Sequence, residues 1–203
     1  MSQTLKALLL VAALMTSAAA RSQALQDGDI VFQTSRSEQS LAVQQATGSK
    51  YSHMGIIIYR GKQPFVFEAA GHVQYTPLGT WVSRGVGGHF VAKRLDTTAG
   101  GLSAADIERL RRTAAAFEGR PYDLTFEWSD DRIYCSELVW KIYDRALGIR
   151  LAELQQIQDF NLQAPAVQTK LHERYGSSIP LHEPVISPAA IFASRSLVTL
   201  PPR

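Results

Sequence analysis

The sequence predicts an α+β domain, with an antiparallel sheet from its first half packed against helices from its second, one of them starting at Cys135. Three observations carry this. Residues 29–95 contain successive short runs rich in β-branched and aromatic residues, separated by glycine-containing turns. Residues 103–118 and 135–148 instead repeat their apolar positions at three- and four-residue steps. No internal repeat, low-complexity tract or interdomain linker separates these regions, and strands followed by helices are the α+β pattern. The chain has 203 residues and 45% hydrophobic content, enough for one domain with a real core.

The first twenty residues stand apart from the fold. Lys6 gives a positive start, Ala7 to Met15 an apolar run, and Ala18-Ala19-Ala20 a small-residue cleavage site. The run is short of the ~20 residues needed to span a bilayer. It reads as a signal peptide over 1–20, with an alternative cut after Ala24 and a single domain over 25–203. Export to a bacterial periplasm or cell envelope follows, with no transmembrane segment in the mature chain. Lys6 is the only charged residue in the leader, so its removal lowers the formal charge from +3 to +2. That charge neither marks nor excludes a nucleic-acid or membrane partner; with no nucleic-acid motif in view, none is assigned.

Taken in order, Asp27-Gly28 is a turn and Asp29 to Gln33 a strand. Ser37 to Ala46 spaces its apolar residues as a short helix closed by Gly48. Ser52 to Tyr59 and Phe65 to Ala69 are buried strands joined through Arg60-Gly61, and His72 to Pro77 is a third. Leu78 to Arg84 forms a helical turn, and His89 to Leu95 completes the sheet. A helix opens at Ser103 and runs to about Glu118, stopped by Gly119-Arg120-Pro121. Tyr122 to Asp131 is an aromatic, acidic loop. Leu138, Val139, Ile142, Tyr143, Ala146 and Leu147 form the apolar stripe of the helix that Gly148 ends. Beyond it, Ala166 to Tyr175 is helical, 176–184 is loop, and Ser187-Pro188 starts a last helical turn.

Cys135 is the only cysteine. An exported chain with one cysteine forms no internal disulfide, and a free thiol in an oxidising compartment calls for a chemical purpose. Its place at a helix N-terminus favours a thiolate, since the unpaired N–H groups and the macrodipole there stabilise an anion. Read alone, Cys135 is equally a small buried hydrophobe. A thiol nucleophile needs a base and a group to orient it. His53 lies in the strongest strand pattern beside Gly55, although a lone strand histidine is more often a core residue. A two-residue turn at Arg60-Gly61 pairs Tyr59 with Lys62, Gly55 with Val66 and His53 with Glu68, which puts the imidazole and carboxylate on one face. A one-residue slip would separate them.

Asp27-Gly28-Asp29-Ile30-Val31-Phe32, Tyr51-Ser52-His53-Met54-Gly55-Ile56, Phe67-Glu68-Ala69 and Tyr134-Cys135-Ser136-Glu137-Leu138-Val139 together resemble the permuted papain-like cysteine hydrolases. The branch they are most similar to is the YiiX/YebB-like group of the NlpC superfamily. The likeness runs from about Gln26 to Leu147. In papain the cysteine precedes the histidine; here His53 precedes Cys135, as in a circular permutation. The resemblance implies a permuted papain-like (NlpC-type) fold and a catalytic Cys135, His53, Glu68 triad. It also implies amide hydrolysis through a thioester, with a peptide or acyl-containing, peptidoglycan-derived substrate and no cofactor.

Two other functions remain open: a lipid-directed thioesterase, acyltransferase or phospholipase, and an envelope binding module without turnover. A short cleft with charged ends would favour peptides, and a long apolar channel acyl chains. Tyr122, Asp123 and Tyr134 bracket the loop before the nucleophile and are candidate substrate-binding residues; the bland reading packs the aromatics and leaves the acid capping a turn. No metal is assigned, because His53, Glu68 and Cys135 lack the tight ligand spacing of zinc sites. The three tryptophans read as core or rim, and Arg109, Arg111 and Arg112 as a solvated helix face.

Overall fold

A computed structural model describes residues 24–97 and 100–202; the leader expected over 1–20 lies outside the described residues. The chain runs β1 (Ile30–Gln33), α1 (Ser40–Thr47), β2 (His53–Arg60), β3 (Gln63–Ala70), β4 (His72–Pro77), α2 (Leu78–Ser83), β5 (Val91–Leu95), α3 (Ala104–Ala115) and α4 (Cys135–Leu147). It continues through β6 (Gln155–Gln156), α5 (Pro165–Tyr175), β7 (Pro184–Val185), α6 (Pro188–Phe192) and β8 (Leu197–Thr199). β4-β3-β2-β1-β5-β8 form one antiparallel sheet, and β6 pairs with β7. This is the expected α+β arrangement. β8 and the β6–β7 pair were not expected, because two- and three-residue strands carry no periodicity to read.

Strand alternation gives the sheet two covered faces. Ile30, Phe32, Met54, Ile56 and Phe67 point toward Leu138, Val139, Ile142 and Tyr143 of α4. Val31, Ile57 and Val66 point the other way, onto Trp81 of α2. Burying each large side chain of this kind stabilises the fold by about 2 kcal/mol. α3 begins with a reciprocal cap in which Ser103 Oγ accepts from Asp106 N–H and Asp106 Oδ2 accepts from Ser103 N–H, both at 3.2 Å. It ends at Ala115, three residues before the expected Glu118. Gly148, in the left-handed region at φ 68°, closes α4 with its N–H on Asp144 O at 2.8 Å.

The Asp27-Gly28-Asp29 turn is an anchoring point. Arg94 of β5 grips buried Asp29 through two hydrogen bonds of 2.7 Å. Tyr143 of α4 donates its hydroxyl to Gly28 O. Arg111 bonds Asp27 Oδ1 at 2.8 Å and Tyr59 O at 2.9 Å. Arg111 is therefore a tie between α3 and the sheet rather than part of a solvated face. The sequence did not show this, since helical spacing says nothing about which loop faces an arginine.

The β2–β3 turn differs from expectation. Arg60 pairs with Gln63 and Ile57 with Val66, so the two-residue turn is Gly61-Lys62, with Gly61 at φ 63°. A left-handed first turn position favours glycine there. The register is displaced by two residues, and a displacement of two returns every side chain to its own face. Carried on, it sets Glu68 opposite Gly55 and diagonal to His53. Among the described residues no helix is long and apolar enough to cross a membrane.

Candidate active site

Three elements converge on the thiol. Cys135 is the first residue of α4 and is 5% exposed. Tyr134 before it is extended, so the chain enters the helix at the cysteine and the first-turn N–H groups face the same side. Ser136 Oγ donates to Ile186 O at 2.8 Å and fixes that turn against the segment before α6. His53 opens β2 at the sheet margin, within interaction reach of Cys135. Its Nε2 is 2.5 Å from Glu68 Oε2, which leaves Nδ1 as the nitrogen for the thiol. Trp81 lies near the imidazole, ring centroids 6.1 Å apart and tilted by 31°.

Glu68 is fully buried yet ionised. Oε1 accepts from Thr76 Oγ1 at 2.5 Å and from Arg84, while Oε2 faces His53. Burial alone would raise its pKa; His53, Thr76 and Arg84 outweigh burial and hold it below the usual carboxylate range. Burial likewise disfavours a charged His53. Hydrogen bonds to Cys135 and Glu68, with their negative charge, overcome that and raise the imidazole to about 9. The arrangement favours an imidazolium held by a carboxylate beside the thiol.

Thr76 and Arg84 escaped the sequence reading. Glu68 pairs with Gln74 and Val66 with Thr76, so Thr76 is the diagonal neighbour of Glu68 on its own face. The tight turn at Gly71 was the signal for that register. Arg84 caps the C-terminus of α2 and had none. Gln33 was also missed: it pairs with His53 across β1 and β2, is 1% exposed, and neither of its amide atoms has a partner among the described residues. Gly85 makes room for it, since a Cβ there would stand 2.4 Å from Gln33 Oε1.

Tyr122 stands between two openings, its hydroxyl accepting from Gln39 Nε2 at 3.0 Å. Tyr134 is buried, accepts from Ile186 N–H at 3.0 Å, and walls the opening beside Cys135. Asp123 lines neither opening. It is fully buried, and its Oδ1 accepts from Thr125 N–H at 2.7 Å and Oγ1 at 2.8 Å, which is the turn-capping role. On the thiol side the opening is an apolar pocket between α1 and α5; on the imidazole side it is a broader cleft of mixed lining, with Arg36, Arg84 and serines beside Ala69, Ala70 and Leu124. Among the described residues no group of three His, Cys, Asp or Glu side chains is arranged to share a metal ion.

With this geometry in hand, comparison with known proteins gives one consistent result. Residues 24–200 match the family described as "Permuted papain-like amidase enzyme, YaeF/YiiX, C92 family". The chain is 50% identical over 192 residues to the "Uncharacterized protein YiiX" of Escherichia coli K12, covering 95% of this chain and 94% of that one. It also superimposes on a crystal structure of "metalloprotein yiiX" from Escherichia coli O157:H7 with a TM-score of 0.84 at 51% identity, covering 88% of this chain and 97% of that one. The chain belongs to the YaeF/YiiX family of permuted papain-like amidases.

Proposed function

We propose that this protein is an exported cysteine amidase that cleaves an amide through a thioester on Cys135, with His53 as base and acid and Glu68 as its orienting anion. The observation that carries the reading is His53, held by Glu68 at 2.5 Å and within reach of the thiol. In the first half-reaction Sγ attacks the carbonyl carbon, the C–N bond breaks, and the imidazolium gives its proton to the departing nitrogen. The N–H groups of the first turn of α4 are suited to the oxyanion. Water then adds to the thioester, His53 takes its proton, and the acid leaves. Amides of the bacterial envelope are the substrates in keeping with export, and a peptide-like substrate is in keeping with the family.

A metal has no part in this reading, although one relative is called a metalloprotein. Glu68, the carboxylate nearest the thiol–imidazole pair, already takes Thr76, His53 and a guanidinium, an arrangement that repels a cation. The test is release of amine from peptide amides, together with the mass of the enzyme trapped in acid. Wild type should carry a transient acyl adduct on Cys135, and Cys135→Ala should lose adduct and turnover together. Turnover surviving Cys135→Ala would overturn the proposal. The lipid-directed alternative gains support from one observation, the apolar pocket beside the thiol.

A further inference from the structure

Resting on the amidase reading, we infer that the cleft along His53 is an anion subsite: the amine half of the substrate carries a carboxylate, received there by Arg36 and by the side-chain amide of Gln33. Which half enters this cleft follows from the chemistry. Sγ keeps the acyl carbon, and the departing nitrogen collects its proton from His53, so the amine half lies on the imidazole side.

The cleft, about 790 Å³, takes apolar lining from Ala69, Ala70 and Leu124 and its charge from Arg36 and Arg84, with no Asp or Glu among its lining residues. The backbone brings the two cations together. Just past β1, Ser35 bridges to Gly85, and Arg36 N–H donates to Arg84 O at 3.2 Å. The two guanidiniums differ in what they have left to give. Arg84 already faces the buried carboxylate of Glu68. Arg36 is exposed and pairs with no carboxylate among the described residues. One uncompensated charge matches a monoanion, and a guanidinium can hold both oxygens of a carboxylate.

Gln33 supplies a second, independent observation. It stands opposite His53, is 1% exposed and lines the same cleft, yet neither Oε1 nor Nε2 has a partner among the described residues. A buried amide left unpaired costs stability, and an apolar side chain of the same shape would carry no such cost. Its use therefore lies outside the packing of the fold. Gly85 leaves room for Oε1, since a Cβ there would stand 2.4 Å away. With Oε1 turned to Gly85, Nε2 is the donor left for an oxygen of the ligand.

The test measures binding apart from turnover. Calorimetry of Cys135→Ala should show N-acetyl-alanyl-alanine binding at least about threefold more tightly than its C-terminal amide at low ionic strength, with the gap shrinking in ~1 M salt. In the same background Arg36→Gln should narrow the gap. Gln33→Met keeps the length of the side chain and removes the amide. It should narrow the gap too, without lowering the urea midpoint, because no hydrogen bond of the fold is lost. Equal binding of acid and amide, no binding of either at millimolar concentration, or a gap untouched by Arg36→Gln would overturn the inference. A lowered midpoint in Gln33→Met with the gap intact would make Gln33 a residue of the fold and remove it from the subsite. Equal binding together with Cys135-dependent cleavage of both peptides would sink the anion subsite alone. The expected preference for the acid, with no amide cleaved by wild type, would sink the amidase reading alone.

Discussion

At the scale of single residues, the site is a chain of charge that runs from the α2 cap to the α4 N-terminus: Arg84, Glu68, His53, Cys135. A base within reach contributes ~100- to 10,000-fold to rate. His53→Ala should therefore abolish measurable amide turnover and slow iodoacetamide alkylation of Cys135 at neutral pH by at least about tenfold. Glu68→Gln should cost less, about 10- to 100-fold, with circular dichroism unchanged, and the double variant should cost little beyond His53→Ala because the groups act as a unit. Glu68→Gln with full activity would remove Glu68 from the mechanism; its cross-strand partner Gln74 donates to Ala70 O rather than to the imidazole. In the proposed mechanism the imidazole, raised to about 9, protonates the leaving amine, so kcat/KM should fall as pH rises through about 9. A falling limb near the ordinary histidine value of 6.5 would contradict this assignment. The same shift links to stability. A pKa raised on folding stabilises most below about 6.5, and the contribution, roughly 3 kcal/mol, is lost as pH climbs through 9. Urea midpoints should therefore decline over that window in wild type and stay flat in His53→Ala.

At the scale of elements, the β2–β3 ladder sets the distance between base and orienter, and Gly55 sets how closely the strands approach. A Cβ at 55 would stand 2.4 Å from Val66 Cγ1 and 2.7 Å from Phe67 O, neither of which has room to yield. Gly55→Ala should destabilise the fold by about 2 kcal/mol in urea titration. Because the two strands must part, it should also lower turnover in the protein that remains folded. Unchanged stability and rate would show the hairpin to be more yielding than its packing implies. This ladder also explains why a wrong turn in the sequence reading still led to the right partner. The turn was misplaced to Arg60-Gly61, but the error amounted to two residues and side chains alternate with period two. One residue would have hidden Glu68 on the opposite face.

At the scale of the whole molecule, the sheet and α4 bring residues 53, 68 and 135 together from distant parts of the chain, and Arg94, Tyr143 and Arg111 lock the Asp27-to-Asp29 turn at their junction. Export is expected to leave a mature N-terminus near Arg21 or Leu25. N-terminal sequencing of protein from the envelope fraction checks it, and cytosolic protein that retains Met1 would refute it. The sequence by itself determined the α+β order of elements, the helix beginning at Cys135, and the strands bearing His53 and Glu68, because periodicity, turn chemistry and motif spacing are local and repeat along the chain. Only the tertiary structure decided that Thr76 and Arg84 join His53 in holding Glu68 below the usual carboxylate range, that Asp123 turns inward to cap its loop, and that α1 and α5 wall an apolar pocket beside the thiol. Those facts depend on which side chains meet across the fold, and non-local contacts leave no period in the sequence to read.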